Sequence, residues 1–221
     1  MATRYERDTS NFDRALGFFD AVYGFALTLL VTTIDVESVQ AWQSVGDLLA
    51  ADGMQLLSFL ISFVVVVMFW RENHEMIARF TALDSTTILA NIVVIGFVVF
   101  IPFTTEAMGD PDLQELPLPT ALYAFNVGAT VLASMVVYQI GVRRGLADHD
   151  EPPRARRAWA LDALATPVVM FASIPVTYLG VSLWGDSSAG KFFWLLLLVL
   201  SPVTGRWADR VAQQARADAS N

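Results

Sequence analysis

The chain has 221 residues, 55% of them hydrophobic and only 16% charged, with a formal net charge of −8 and no cysteine. Soluble domains carry about 25% charged and about 45–50% apolar residues; the apolar excess here is gathered into runs near the length that crosses a bilayer core. A soluble enzyme, a nucleic-acid binder and a disordered partner are thereby set aside, and without thiols there are no disulfides, zinc thiolates or iron–sulfur clusters.

Six apolar segments follow one another, at 16–34, 54–70, 86–103, 118–142, 161–184 and 192–204. They predict an all-α, polytopic membrane protein, a six-helix transmembrane domain over 15–204 between a terminal segment 1–14 and a tail 205–221. The leader MATRYERDTSNFDR is mixed in charge and no small-residue cleavage site follows the first apolar run, so that run is expected to stay as a span. Pro167 and Pro175 loosen the fifth span and Pro202 the sixth, as bilayer helices tolerate. The tail spaces Trp207, Val211 and Ala215 along one face, consistent with a short interfacial helix.

Arginines give the orientation, because positive residues are retained on the cytoplasmic side. Arg4, Arg7 and Arg14 precede the first span, and Arg71 and Arg79 separate the second and third. Arg143, Arg144, Arg154, Arg156 and Arg157 separate the fourth and fifth, and Arg206, Arg210 and Arg216 follow the sixth. Of 14 cationic residues, only Lys191 falls on the other side. Both termini of this integral membrane protein are therefore expected in the cytoplasm. The acids partition differently. Asp35, Glu37, Asp47, Asp52, Glu106, Asp110, Asp112, Glu115 and Asp186 lie outside, so the whole net charge of −8 sits there. That is either a cation-attracting mouth or the by-product of arginine-poor outer loops.

The first span carries Asp20, which costs about 2.5–3.5 kcal/mol in a bilayer helix and should face protein or water. Phe18, Val22, Phe25, Leu29, Thr32 and Val36 follow heptad-like spacing along one seam, beside a strip of small residues, Gly17, Ala21, Gly24 and Thr28. Such a face suits either packing against spans two and three or the lining of a pore around which copies assemble.

The run Arg14-Ala-Leu-Gly-Phe18-Phe19-Asp20, followed by AVYGFALTLLVTTI, resembles the R-x-x-x-F-S-D signature that opens the transmembrane protein 175 family, potassium-selective channels without a TVGYG filter. Trp70, His74, Asp84, Asn91 and the Pro102-Phe103 pair extend the likeness to about residue 105. The resemblance implies a homotetramer in the lipid of a prokaryotic cell membrane, first helices around a central pore, and potassium as the permeant ion. It puts pore-lining positions at Phe25, Thr28, Leu29 and Thr32. Phe25 would be the water-excluding constriction, Leu29 a second apolar ring, and Thr28 and Thr32 hydroxyl rings. Thr32 replaces a common leucine and Phe19 replaces the signature serine. The resemblance also implies a structural polar network of Arg14, Phe18, Asp20, Trp70, His74, Asp84 and Asn91. Arg14 and Asp20 are about 240° apart on a helix, so each needs a partner from another span. No catalytic residue, resident metal, cofactor or nucleic-acid partner is expected; the protein is read as a channel, not an enzyme. The competing reading is a secondary or proton-coupled cation transporter in which Asp20 and His74 titrate.

Overall fold

A computed structural model describes residues 4–7, 9–36, 38–147 and 152–220, the side chains of 219 and 220 excepted. Glu37, His149 and the extreme terminal residues 1–3 and 221 lie outside the described residues. The described chain forms helices α1 (Ser10–Leu30, prolonged by a 3₁₀ turn Val31–Thr33), α2 (Val45–Ala78), α3 (Ser85–Gly109) and α4 (Pro117–Arg143). These are followed by α5 (Pro153–Ala163), α6 (Ala165–Trp184), α7 (Ser188–Phe193) and α8 (Leu196–Ser220). Six stretches are long and apolar enough to cross a membrane, α5 with α6 forming the fifth and α7 with α8 the sixth.

Helices outrun the apolar windows because hydropathy registers the bilayer-compatible part and capping sets the ends. α2 starts at Val45, where the Ser44 hydroxyl accepts the Asp47 N–H at 3.1 Å, and runs 34 residues, about 51 Å. α1 starts earlier than expected for the same reason: Thr9 accepts the Phe12 N–H. The arginine-rich connector holds α5, with Pro153 at its first turn. The tail is the continuation of α8 rather than a separate element. Its packed side is Ala208, Ala212 and Ala215, the last two against Ala155 of α5, while Trp207 stays outward.

α3 lies at the centre and packs on α1, α2 and α4; α4 in turn packs on α6, and α6 on α7 and α8. Val94, Val98 and Ile101 of α3 meet Val66 of α2 and Tyr123 and Val127 of α4 in one apolar core. Lipid leaves little hydrophobic drive for helix association, so packing and interhelical hydrogen bonds hold the bundle. Thr105 donates to Ser62 Oγ at 2.7 Å, Ser62 donates to the Tyr123 hydroxyl at 3.1 Å, and Trp194 Nε1 donates to Ser173 Oγ at 2.9 Å. The Tyr123 and Trp194 rings lie 5.3 Å apart, joining the two sets.

A small clasp, which helical periodicity does not reveal, closes the end of the bundle that carries the termini. Strands β1 (Arg4–Glu6) and β2 (Ala82–Asp84) pair antiparallel, Tyr5 opposite Leu83. Arg7 Nη1 donates to the Ala78 carbonyl at 2.6 Å, and the Thr81 N–H donates to the Leu146 carbonyl at 2.7 Å. The leader is thus bound to the α2–α3 turn, and that turn to the end of α4. Asp84 is the centre of this arrangement. Its Oδ1 caps α3 by accepting the Thr87 N–H at 2.8 Å and the Thr87 hydroxyl at 2.9 Å, while Oδ2 pairs with Arg144. Burial alone would raise its pKa, but the bonds from Thr87 and the Arg144 charge outweigh it and hold the carboxyl below its ordinary value. Phe80, fully buried, sets the outer end of its ring against Gly141 of α4, where a Cβ would collide with it.

Two outcomes follow. A folded pKa below the unfolded one contributes stability that is present above the unfolded pKa and lost as pH falls through the folded one. Asp84→Asn keeps a capping oxygen but loses the charge, so it should cost about 1 kcal/mol at neutral pH, the Arg144 side being partly solvated. Thermal unfolding of detergent-purified protein should show that difference vanish as pH drops below the carboxylate range. Gly141→Ala, measured in the same way, should destabilise by about 1–3 kcal/mol through overpacking against Phe80.

Candidate functional site

α1 buries one side only. Phe12, Phe19, Tyr23, Ala26, Leu30 and Thr33, at spacings of seven, four, three, four and three, form its core-facing stripe. Phe19, standing where the signature has serine, is 1% exposed among apolar neighbours. The opposite side is uncovered. Phe18, Phe25 and Thr32 are exposed, and Val22 and Leu29 are half-buried, Val22 touching the edge of the core. Gly17, Ala21, Gly24 and Thr28 are also exposed, and a Cβ built on Gly17 or Gly24 would meet nothing within 4 Å. Packing against α2 and α3 therefore uses a different face from the seam seen in the sequence.

On the uncovered side Phe25 is 65% exposed and projects an aromatic ring. Thr28 Oγ1 donates to the Phe25 carbonyl at 2.8 Å, and Thr32 Oγ1 donates to the Leu29 carbonyl at 2.7 Å. A hydroxyl has one proton and two acceptor lone pairs. With the proton turned back onto the helix, each threonine offers oxygen outward and no hydrogen. Such a face suits cations and disfavours anions. The two threonines alternate with the two apolar side chains over two turns, so hydroxyl oxygen and hydrocarbon succeed each other along the axis.

The expected polar network resolves into three separate sets. Trp70 Nε1 donates to Asp20 Oδ1 at 2.9 Å, tying α2 to α1, and the exposed His74 ring lies 5.9 Å from the Trp70 ring. Asn91 is fully buried on α3 and accepts from Asn73 Nδ2 at 2.7 Å. Asp84 belongs to the clasp with Arg144. Arg14 is exposed on α1, bonded to neither Asp20 nor His74, and Phe18 contributes only an edge contact to Phe19, with centroids 6.1 Å apart. Asn73 and Arg144 were missed. Asn73 carries a legible signal, a polar residue one position before His74 in an apolar helix. Arg144 does not, because the positive-inside rule already accounts for it. Among the described residues no three His, Asp or Glu side chains converge tightly enough to ligate a metal directly.

Residues 14–102 match the sequence model of the family described as endosomal/lysosomal potassium channel TMEM175. A potassium channel of Streptomyces collinus is 25% identical over 174 residues, covering 74% of this chain and 84% of that protein. A potassium channel of Chamaesiphon minutus is 26% identical over 132 residues, covering 59% of this chain and 63% of that protein. The crystal structure of a lysosomal potassium-selective channel TMEM175 homolog from Chamaesiphon minutus shares the fold. It matches at a TM-score of 0.66 and 20% identity, over 89% of this chain and 99% of that one. The family match begins at Arg14 and takes in α1, α2 and most of α3, the segment that holds the signature and the Asp20–Trp70 bond, so over residues 14–102 the chain is similar to the TMEM175 family, and the fold likeness extends over 89% of the chain.

Proposed function

We propose that the protein is a potassium channel, not an enzyme, in which four copies set their first helices around a central pore in membrane lipid. The observation that carries this is the uncovered face of α1, which holds both the small-residue strip and the side chains Phe25, Thr28, Leu29 and Thr32. Potassium as the permeant ion is supported by the names of the bacterial relatives. In this reading residues 15–204 form the channel domain, and the segments 1–14 and 205–221 lie in the cytoplasm, which the arginine distribution supports.

Gly17, Ala21 and Gly24 bring copies of α1 close, as small residues do between bilayer helices. Phe25 and Leu29 then form apolar rings that empty of water when narrow, and Thr28 and Thr32 supply oxygen to a partly dehydrated ion. Potassium loses water more readily than sodium, so a site offering a few hydroxyls favours it. Asp20 keeps its carboxylate bonded to the Trp70 indole and fixes the rotation of α1.

Potassium flux from liposomes holding the purified protein tests the reading, with sodium flux and a proton-coupled assay alongside. Single-channel steps are expected; saturable, proton-coupled uptake without steps would instead support a carrier built on Asp20 and His74. Phe25→Ala and Leu29→Ala should each raise ion leak about tenfold, equivalent to ~1.4 kcal/mol off the barrier. If both behave like wild type, the constriction lies elsewhere. Thr32→Val, nearly isosteric, should lower the potassium-to-sodium ratio while leaving crosslinked tetramers in native membranes intact. An unchanged ratio would remove the hydroxyl ring, and crosslinking that yields only monomers would remove the four-fold pore.

A further inference from the structure

Arg14 opens the signature but takes no part in holding α1. Its side chain is exposed, and its guanidinium has no ion pair or hydrogen bond among the described residues. Other arginines at this end are engaged: Arg7 donates to the Ala78 carbonyl, Arg71 pairs with Glu75 and Arg144 with Asp84. Arg14 also differs in where the helix places it. A helix turns about 100° per residue, so Arg14 and Thr32 fall on one line along α1, about five turns and ~27 Å apart. Ala21 and Phe25 lie within about 20° of that line, and Phe18 and Thr28 within about 40°. All of them are exposed, whereas Tyr23 of the core stripe stands about 180° away. Retention of positive residues accounts for an arginine at this end, but not for its place on the face that leaves the subunit.

The uncovered face therefore runs from fixed positive toward negative charge. Thr32, near its other end, borders a cavity of about 560 Å³ lined by Asp35, Asp52, Glu106, Asp110 and Asp112, and by no cation among the described residues. At the first end the guanidinium stays protonated at any pH near neutrality, so its charge is constant.

We infer that Arg14 gives the pore a direction. Four copies ring the mouth nearest the termini with guanidinium groups, and potassium passes more readily toward that mouth than away from it. The inference rests on the channel reading, with α1 lining the pore. A ring of like charge is a barrier to a cation, and its position along the path decides which way it acts. An ion entering at Arg14 meets the repulsion before the applied voltage has done any work on it. An ion arriving from the acidic end meets it last, with nearly the whole voltage drop behind it. Voltage of one sign therefore lowers the barrier, and voltage of the other sign does not. Salt screens the ring, since the Debye length falls from about 8 Å at physiological ionic strength to about 3 Å at 1 M.

Single-channel recording in planar bilayers, with equal potassium on both sides, tests this. Wild-type currents at equal voltages of opposite sign should differ about twofold or more, as charge at a mouth allows, and less in concentrated salt. The chain has no cysteine, so Arg14→Cys provides a single thiol. That variant should conduct equally in both directions. A methanethiosulfonate bearing trimethylammonium, added to one chamber, should restore the asymmetry, and the chamber from which it acts marks the Arg14 mouth. The sulfonate-bearing reagent should not restore it. Arg14→Lys should keep the asymmetry, and so should Arg71→Gln, which removes a cation from the same end but not from α1. Symmetric wild-type currents, asymmetry retained in Arg14→Cys, larger currents away from the marked mouth, or equal effects of the two reagents would overturn the inference. Absence of single-channel steps in wild type would defeat the channel reading itself, so the two failures are told apart.

Discussion

α1 is held along one side and at one end, and its other side is left free of the rest of the chain. The Phe19–Tyr23–Ala26–Leu30 stripe binds it to the core, and Asp20 binds it to Trp70. The leader before it is sewn into a two-stranded ladder against the α2–α3 turn. Lipid alone would not hold a helix in place, since hydrocarbon solvates its apolar side chains as well as protein does. The indole–carboxylate bond and the clasp add direction: they define the rotation of α1 about its axis and its height relative to α3. A helix so fixed can present Phe25 and Thr32 outward, away from the packed core of their own subunit.

The clasp makes economical use of one residue. Asp84 ends β2, caps α3 and pairs with Arg144 next to α4, so its carboxylate joins the start of α3 to the end of α4 while its backbone lies opposite Arg4 of the leader. Phe80 locks the same junction by setting the end of its ring against Gly141, a close approach open only to a residue without a side chain. Farther along, α5 and the end of α8 form a second layer on this end of the bundle, where Asp162 accepts a hydrogen bond from Thr204 and Arg79 stacks over Trp159. The terminal end is thus tied by hydrogen bonds, ion pairs and ring contacts, while the far end closes with short turns around the acidic cavity.

Much of this was legible in the residues. Hydropathy locates six spans because the bilayer imposes a length on each, and the seam on α1 follows from a 3.6-residue period that any helix obeys. Asp20 reads as a polar anchor because an acid in a span must have a reason. Other features were out of reach for physical reasons. Helix ends depend on single caps such as Ser44 and Thr9, which hydropathy does not weigh. The three-residue strands are too short for alternation to register, and they pair over nearly eighty positions. Periodicity groups Asp84 and Asn91 on one face, yet partner choice depends on which helix lies opposite: Asn91 meets Asn73, and Asp84 meets Arg144. Heptad spacing identifies a face but not what it faces; intrachain packing is the role of the stripe through Phe19 instead.

The two threonines of the uncovered face illustrate how one hydroxyl satisfies two demands. Left to itself in an apolar helix, a hydroxyl proton needs an acceptor; the carbonyls of Phe25 and Leu29, one turn back, provide it. That bond costs the helix little and turns the oxygen lone pairs outward, toward the space that Phe25 and Leu29 border. In the proposed pore, an ion approaching along this face would meet oxygen without a competing proton, and between the oxygens hydrocarbon that cannot solvate it. Alternation of this kind produces shallow sites separated by barriers rather than one deep well, and conduction requires sites weak enough to leave as well as to enter. Valine in place of either threonine would keep the shape and remove the wells, whereas alanine in place of Phe25 or Leu29 would keep the wells and lower the barriers. In the proposed pore, selectivity and impermeability would thus be carried by different atoms of the same two turns of α1.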